Sequence, residues 1–141
     1  MQKRAGPAAK GPPVKLLLDT CTFLWIVGGH RALPARVVDL FRAPDNEVYL
    51  SAASAWEIAL KHALGRLPLP EPPERFVPGE RTAHAIAALP IDEESALHLS
   101  HLPALHRDPF DRMLVSQAIV HGLAILTPDP LVSQYPARTL W

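Results

Sequence analysis

Four acidic residues, Asp19, Glu57, Asp111 and Asp129, are far apart in the chain, yet each falls beside a boundary in the sequence pattern. Asp19 directly follows the apolar run Val14-Lys15-Leu16-Leu17-Leu18, and Asp129 lies in Pro128-Asp129-Pro130, just past Leu123–Thr127. Glu57 and Asp111 fall in the first turn or so of two expected helices. Carboxylates gathered at one point repel each other, and one of them stays protonated unless a cation intervenes. A hard divalent ion such as Mg²⁺ or Mn²⁺ prefers oxygen ligands and usually retains water. Water bound to it becomes more acidic and can attack a phosphodiester, while the metal offsets charge on the phosphoryl oxygens. Helix N-termini beside such a site add positive dipole ends that suit a phosphate.

Taken singly, each acid also has a purely structural reading. Asp19 can begin a loop after a strand, and Asp129 can be a turn residue between prolines. Glu57 stands three residues after Ser54, the spacing of a capping box, and four before Lys61, the favourable ion-pair spacing. Asp111 can serve only the helix dipole. Its neighbour Asp108 precedes Pro109 and is placed to cap the same helix, which leaves Asp111 as the favoured ligand and Asp108 as cap or supporting residue. Arg107 and Arg112 flank this pair and can hold phosphate or balance charge, although solvated surface is their default. His98, His101 and His106 carry no cysteine pair or HExxH pattern that would support zinc. Cys21 reads as a small buried thiol rather than a nucleophile. Trp25, Trp56 and Trp141 read as core or dimer contacts rather than base-stacking platforms.

The elements that must position these residues follow from apolar periodicity and its punctuation. Val14–Leu18 suits a buried strand, and Thr22–Val27 a helix stopped by Gly28-Gly29. Pro34 opens a helix to about Arg42, and Glu47–Leu50 is a second strand. Ser51 or Ser54 starts a long helix to Leu64, with Gly65 as terminator. Pro68 to Pro78 reads as a proline-rich connector. Residues 80–88 are expected helical and Leu89-Pro90-Ile91 extended, and Asp92 or Ser95 caps a helix to about His101. Asp108-Pro109-Phe110-Asp111 opens a helix that Gly122 ends after His121. Leu123–Thr127 is another buried strand, Leu131–Tyr135 one helical turn, and Arg138–Trp141 a final edge strand. Alternating helices and doubly buried strands predict an α/β domain of three layers with a mainly parallel central sheet. In such sheets ligands bind at the carboxyl ends of the strands, which places all four acids on one edge.

Composition narrows the function. The chain has 141 residues, of which 48% are hydrophobic, enough for one ordinary domain with its own core. Net charge is zero, but residues 1–13 hold Lys3, Arg4 and Lys10 without an acid, leaving 11 basic against 14 acidic residues beyond them. That balance argues against binding nucleic acid through a general positive field, so any such chemistry needs a local site and a metal. Residues 1–13 read as a flexible basic tail (a native extension, a mis-assigned start or a phosphate-touching arm) and residues 14–141 as the domain. No apolar run is long enough to span a bilayer, and the basic N-terminus lacks a signal core. The single cysteine fits a reducing, cytoplasmic setting.

These segments together resemble a PIN domain, specifically the toxin ribonuclease of VapBC-type toxin–antitoxin pairs. The matching residues are Leu16-Leu17-Leu18-Asp19-Thr20, Ser51-Ala52-Ala53-Ser54-Ala55-Trp56-Glu57-Ile58 and His106-Arg107-Asp108-Pro109-Phe110-Asp111-Arg112 with Gln117-Ala118. Leu123-Ala124-Ile125-Leu126-Thr127-Pro128-Asp129 and Trp141 complete the set. The resemblance implies a PIN-like fold over about Val14 to Trp141 and acidic ligands at Asp19, Glu57, Asp111 and Asp129. It also implies Thr127 as a supporting hydroxyl, with Thr20 and Arg112 beside the site. Further implications are Mg²⁺ or Mn²⁺ as cofactor, endoribonuclease activity on RNA, a homodimer, and inhibition by a cognate antitoxin. DNA contact would then be indirect, through the antitoxin. The chain departs from the family in its longer N-terminus and in the proline-rich stretch from Pro68 to Pro90.

Two rival readings are weaker. A phosphotransferase of the haloacid-dehalogenase kind also places an Asp after the first strand, but wants a second acid two residues on, where this chain has Cys21. A non-catalytic PIN-like binding module, or a housekeeping RNA-processing nuclease without an antitoxin, would retain the fold without the toxin role.

Overall fold

The computed structural model describes residues 11–141; of the expected tail, residues 1–10 therefore lie outside the described residues. The chain runs β1 (Lys15–Leu18), α1 (Thr20–Gly28), α2 (Ala35–Arg42), β2 (Glu47–Ser51), α3 (Ala52–Ala63), α4 (Pro73–Ala83) and β3 (Ala87–Leu89). It continues through α5 (Glu93–His98), a short 3₁₀ turn (Leu99–His101), α6 (Pro109–His121), β4 (Ala124–Leu126), α7 (Pro130–Ser133) and β5 (Thr139–Leu140). The five strands form one sheet in the order β3-β2-β1-β4-β5, and every pairing is parallel.

The strands are apolar on both faces because both faces are covered. Leu16 and Leu18 point to one side, into a cluster with Phe23 of α1, Val37 and Phe41 of α2, Ile58 of α3 and Phe76 and Val77 of α4. Leu17 points to the other, among Leu114, Val115 and Ala118 of α6 and Val132 of α7. Ala124 and Leu126 against Ile125 repeat the same alternation in β4. The expected three-layer α/β domain with a parallel sheet is the fold observed.

Strand order fixes where a site can form. After β1 the chain builds outward through β2 and β3 on one side, then returns to lay β4 and β5 on the other. The order reverses beside β1, and the loops leaving the carboxyl ends of β1 and β4 diverge there to open a crevice. Asp19 leaves β1 and Thr127 leaves β4, so these two residues line that point.

Several expectations are corrected. The stretch from Pro68 to Pro78 is not a connector throughout, since α4 begins at Pro73 and runs through Pro78. Pro73 sits at the first helical turn, where its missing N–H costs nothing. Pro78 lies inside, at a cost of about 3 kcal/mol. Burying Phe76 and Val77 recovers about 1.5–3 kcal/mol each, which outweighs it. The helix expected over 80–88 ends at Ala83, and Ala87–Leu89 pairs with β2 instead. The break is made by Ala85, held at φ 54 in the left-handed region without a glycine to signal it. Only Leu89 of the expected Leu89-Pro90-Ile91 piece is strand.

Leu18 carries the load between core and site, being fully buried and directly before Asp19. Leu18→Ala is expected to cost about 2–5 kcal/mol in urea-induced unfolding, with the loss read as a lower midpoint at unchanged slope.

Candidate functional site

Asp19 ends β1 and caps α1 at once. Its Oδ1 accepts from Thr22 N at 2.7 Å, and its Oδ2 accepts from Thr127 Oγ1 at 2.5 Å across the crevice from β4. Thr127 Oγ1 in turn accepts from Asp129 N at 3.1 Å. Asp129 caps α7, its Oδ1 accepting from Leu131 N at 2.9 Å. The two chain segments that meet at the reversal point are thus stitched by one hydroxyl. Burial pushes the Asp19 carboxyl up; the Thr127 and Thr22 hydrogen bonds oppose that shift, and the Asp129 charge adds to it.

Glu57 reaches the site from α3. It is the sixth residue of that helix, one turn deeper than expected. Ser51 caps α3 through Ala53 N, so Ser54 and Glu57 form no capping box. Ser54 Oγ is fully buried and has no hydrogen-bond partner among the described residues. Glu57 Oε1 accepts from Thr20 Oγ1 at 2.6 Å, and its Oε2 is paired with Lys61 Nζ. The ion-pair reading of Glu57 and Lys61 therefore holds. Gln117 fixes the start of α3, accepting from Ser51 Oγ at 2.5 Å and donating to Pro90 O at 3.0 Å.

Asp108 takes the capping role expected of it. Asp108 Oδ1 caps α6, accepting from Phe110 N at 2.8 Å and Asp111 N at 3.2 Å. Asp111, one turn in, makes no capping contact; its Oδ2 lies 2.9 Å from His106 Nε2. Burial, with the nearby charges of Asp108 and Glu57, raises the Asp111 carboxyl to about 6 against the pull of His106.

The four predicted acids thus come to one edge of the sheet. Asp129 acts on Asp19, Glu57 acts on Asp111, and the thiol of Cys21 is raised by burial and by the charges of Asp19, Glu57 and Asp129. Cys21 is exposed, so the buried-thiol reading fails. Trp56 is 59% exposed and meets Phe110 edge-on at 4.9 Å, so it is no core residue of this chain. Trp25 packs between His30 and Trp141.

Arg112 is placed differently from a free phosphate clamp. Its guanidinium donates to Pro103 O at 2.9 Å, Leu99 O at 3.3 Å and the Tyr135 hydroxyl at 3.0 Å. The same hydroxyl accepts from His106 N at 2.8 Å. Arg112 and Tyr135 therefore hold the loop that presents His106 to Asp111. Arg107 is exposed.

Sequence reasoning overlooked two site residues. His106 was weighed only as a zinc ligand, yet its five-residue spacing from Asp111 brings the two together. Ligand atoms of His106, Asp108 and Asp111 lie within 4.8 Å of one another. His98 and His101 instead face each other, ring centroids 5.5 Å apart. Lys61 was weighed only as a helix partner, yet the charges of Asp108 and Asp111 also reach it.

The donor set fits a hard divalent ion. It is rich in carboxylate oxygen, and the burial that chiefly raises Asp19 and Asp111, with a smaller repulsion from neighbouring acids, is a penalty a cation relieves.

A parallel sheet of this order, with acids at the carboxyl ends of its strands, makes this a doubly wound α/β domain. The PIN domain family model matches residues 16–137, and the chain belongs to that family. Ribonuclease VapC16 of Mycobacterium tuberculosis (strain ATCC 25618 / H37Rv) is 43% identical over 73 residues, covering 49% of this chain and 52% of that relative. The chain thus spans about half the length of the curated relative it matches. In fold it is similar to VapBC2 from Rickettsia felis bound to a promoter DNA fragment, with TM-score 0.70, 13% identity and coverage of 91% of this chain and 99% of that one. It is likewise similar to DNA-bound VapBC from Salmonella typhimurium, with TM-score 0.62, 19% identity and coverage of 90% and 97%.

The raised Asp111 carboxyl makes a stability prediction. A carboxyl that holds its proton more tightly folded than unfolded costs stability when it ionises. That cost is absent below the ordinary value of 3.8, grows as pH rises, and is complete above about 6. In EDTA at pH 8, Asp111→Asn is expected to raise the Tm by roughly 2–5 °C. The gain should vanish below pH 3.8, and scanning calorimetry across this range checks it.

Proposed function

We propose that this chain is a divalent-metal-dependent endoribonuclease and the toxin of a type II toxin–antitoxin pair. What supports the reading is a PIN-family sheet whose carboxyl edge carries Asp19, Glu57, Asp111 and Asp129, with Asp129 near enough to act on Asp19 and Glu57 on Asp111. The ribonuclease name of its mycobacterial relative supports the activity, and the VapBC complexes among its structural neighbours support a cognate antitoxin. DNA contact then runs through that antitoxin. The catalytic unit is residues 14–141, acting in the cytoplasm as a homodimer. Among the described residues no helix is long and apolar enough to cross a membrane.

Asp19, Glu57, Asp111 and Asp129 are the acidic residues that hold Mg²⁺ or Mn²⁺. A divalent ion at such a site supplies an acidified water for attack on the phosphodiester and offsets charge on the phosphoryl oxygens. The chain's own residues do the positioning. Thr127 and the N-terminus of α1 fix both oxygens of Asp19, and Thr20 fixes one oxygen of Glu57. Asp108 sets the first turn of α6 and thereby the height of Asp111. His106 orients the Asp111 carboxylate, and Arg112 steadies the loop that carries His106.

Purified protein is expected to cleave single-stranded RNA with Mg²⁺ or Mn²⁺ and to be silent in EDTA. Full cleavage in EDTA would falsify the metal dependence. Asp19→Asn and Asp111→Asn should lose more than the about 100-fold typical of residues that act through a ligand, with circular dichroism unchanged. Asp108→Asn keeps a helix cap and should lose no more than about 10-fold. Equal losses at 108 and 111 would defeat the division of labour between them.

A further inference from the structure

Lys61 has no part in the metal-binding set proposed above, yet it is paired with one of its members, Glu57. It lies one helical turn beyond Glu57 on α3, its ammonium is paired with Glu57 Oε2, and the charges of Asp108 and Asp111 reach it from α6. The other Glu57 oxygen is taken by the Thr20 hydroxyl. Both oxygens of this carboxylate are therefore engaged within the protein.

The two partners differ in what a cation would do to them. A hydroxyl donates one weak hydrogen bond and can turn to accept instead. An ammonium is a full positive charge that repels an arriving dication and holds the ligand it needs. The Lys61 side chain is 47% exposed, against 8% for Glu57, so the lysine can leave into water while the glutamate cannot.

We propose that Lys61 is a placeholder cation: it occupies the Glu57 carboxylate in the metal-free protein and competes with the divalent ion for it. The inference rests on the reading of this acidic edge as a divalent-metal site. Lys61 is accordingly a positioning residue. It offsets the Glu57 charge before metal arrives and sets how tightly metal is held.

A purely structural lysine gives the opposite sign. If Lys61 merely aims Glu57 at the metal, removing it lets the ligand drift, and metal binds more weakly. If it competes, removing it frees the ligand, and metal binds more tightly.

The experiment is calorimetric titration of the full chain with Mn²⁺, without RNA, for wild type, Lys61→Met and Lys61→Arg. Lys61→Met is expected to bind Mn²⁺ about 2- to 5-fold more tightly, the scale of a half-exposed ion pair. Lys61→Arg keeps the charge and should stay near wild type. Unchanged or weaker Mn²⁺ binding by Lys61→Met, with wild type binding normally, overturns the placeholder role and leaves the metal site standing. Absence of Mn²⁺ binding in all three proteins overturns both. Thermal denaturation confirms that each variant is folded, as expected for a side chain half in solvent.

Discussion

Carboxylates gathered at one sheet edge repel one another, and much of the local structure contains that repulsion. A parallel sheet ends its strands on one side, so the residues leaving β1 and β4 cannot avoid each other. Each acid is answered separately. Asp19 takes a backbone N–H and a threonine hydroxyl, Glu57 takes Thr20 and Lys61, and Asp111 takes His106. Asp108 and Asp129 spend an oxygen each on helix caps. The answers are incomplete, since Asp19 and Asp111 still hold their protons more tightly than free carboxyls do. Burial is the main cause, with a smaller part from neighbouring carboxylates, and both are penalties that a bound cation would relieve.

Rigid supports lie behind these contacts. Gln117 in the middle of α6 holds the start of α3, so the two helices that deliver Glu57 and Asp111 are tied by a buried side chain. Arg112 and Tyr135 tie the loop before α6 to the segment after α7. The acids are presented by elements whose mutual positions are set by apolar packing on both sheet faces. A site held by strand ends and helix caps needs little from flexible loops, which suits ligands that must converge on one ion.

How far the site was legible depends on the range of the interaction. The Asp108 cap, the Pro109 start and the Gly122 stop are local, and they appear as read; Gly122 takes φ 68, a conformation glycine adopts without cost. Glu57 lies beyond the first turn because, of the two caps Ser51 and Ser54 that the sequence offers, Ser51 is the one used, accepting from Ala53 N. The α4 helix departs from the expected proline-rich connector because its compensation for Pro78 comes from burial of Phe76 and Val77 against distant elements. The strand at Ala87–Leu89 carries no β-branched residue, and the left-handed Ala85 that releases it carries no glycine.

The sequence alone determined the fold class, the central strands, the principal helix caps and the four acids that share an edge. Those follow from apolar periodicity and from residues a few positions apart, which the chain order already contains. Only the tertiary structure decided which oxygen of Asp19 meets Thr127, that Thr20 takes one oxygen of Glu57, that His106 rather than an arginine touches Asp111, and that Arg112 is spent on its own loop. The Asp19–Thr127 and Thr20–Glu57 contacts join residues 108 and 37 positions apart, whereas His106 with Asp111 and Arg112 with Pro103 span only 5 and 9 and depend on which way neighbouring elements turn the side chains. The longest of them exists because the sheet brings the ends of β1 and β4 together, which no local pattern encodes.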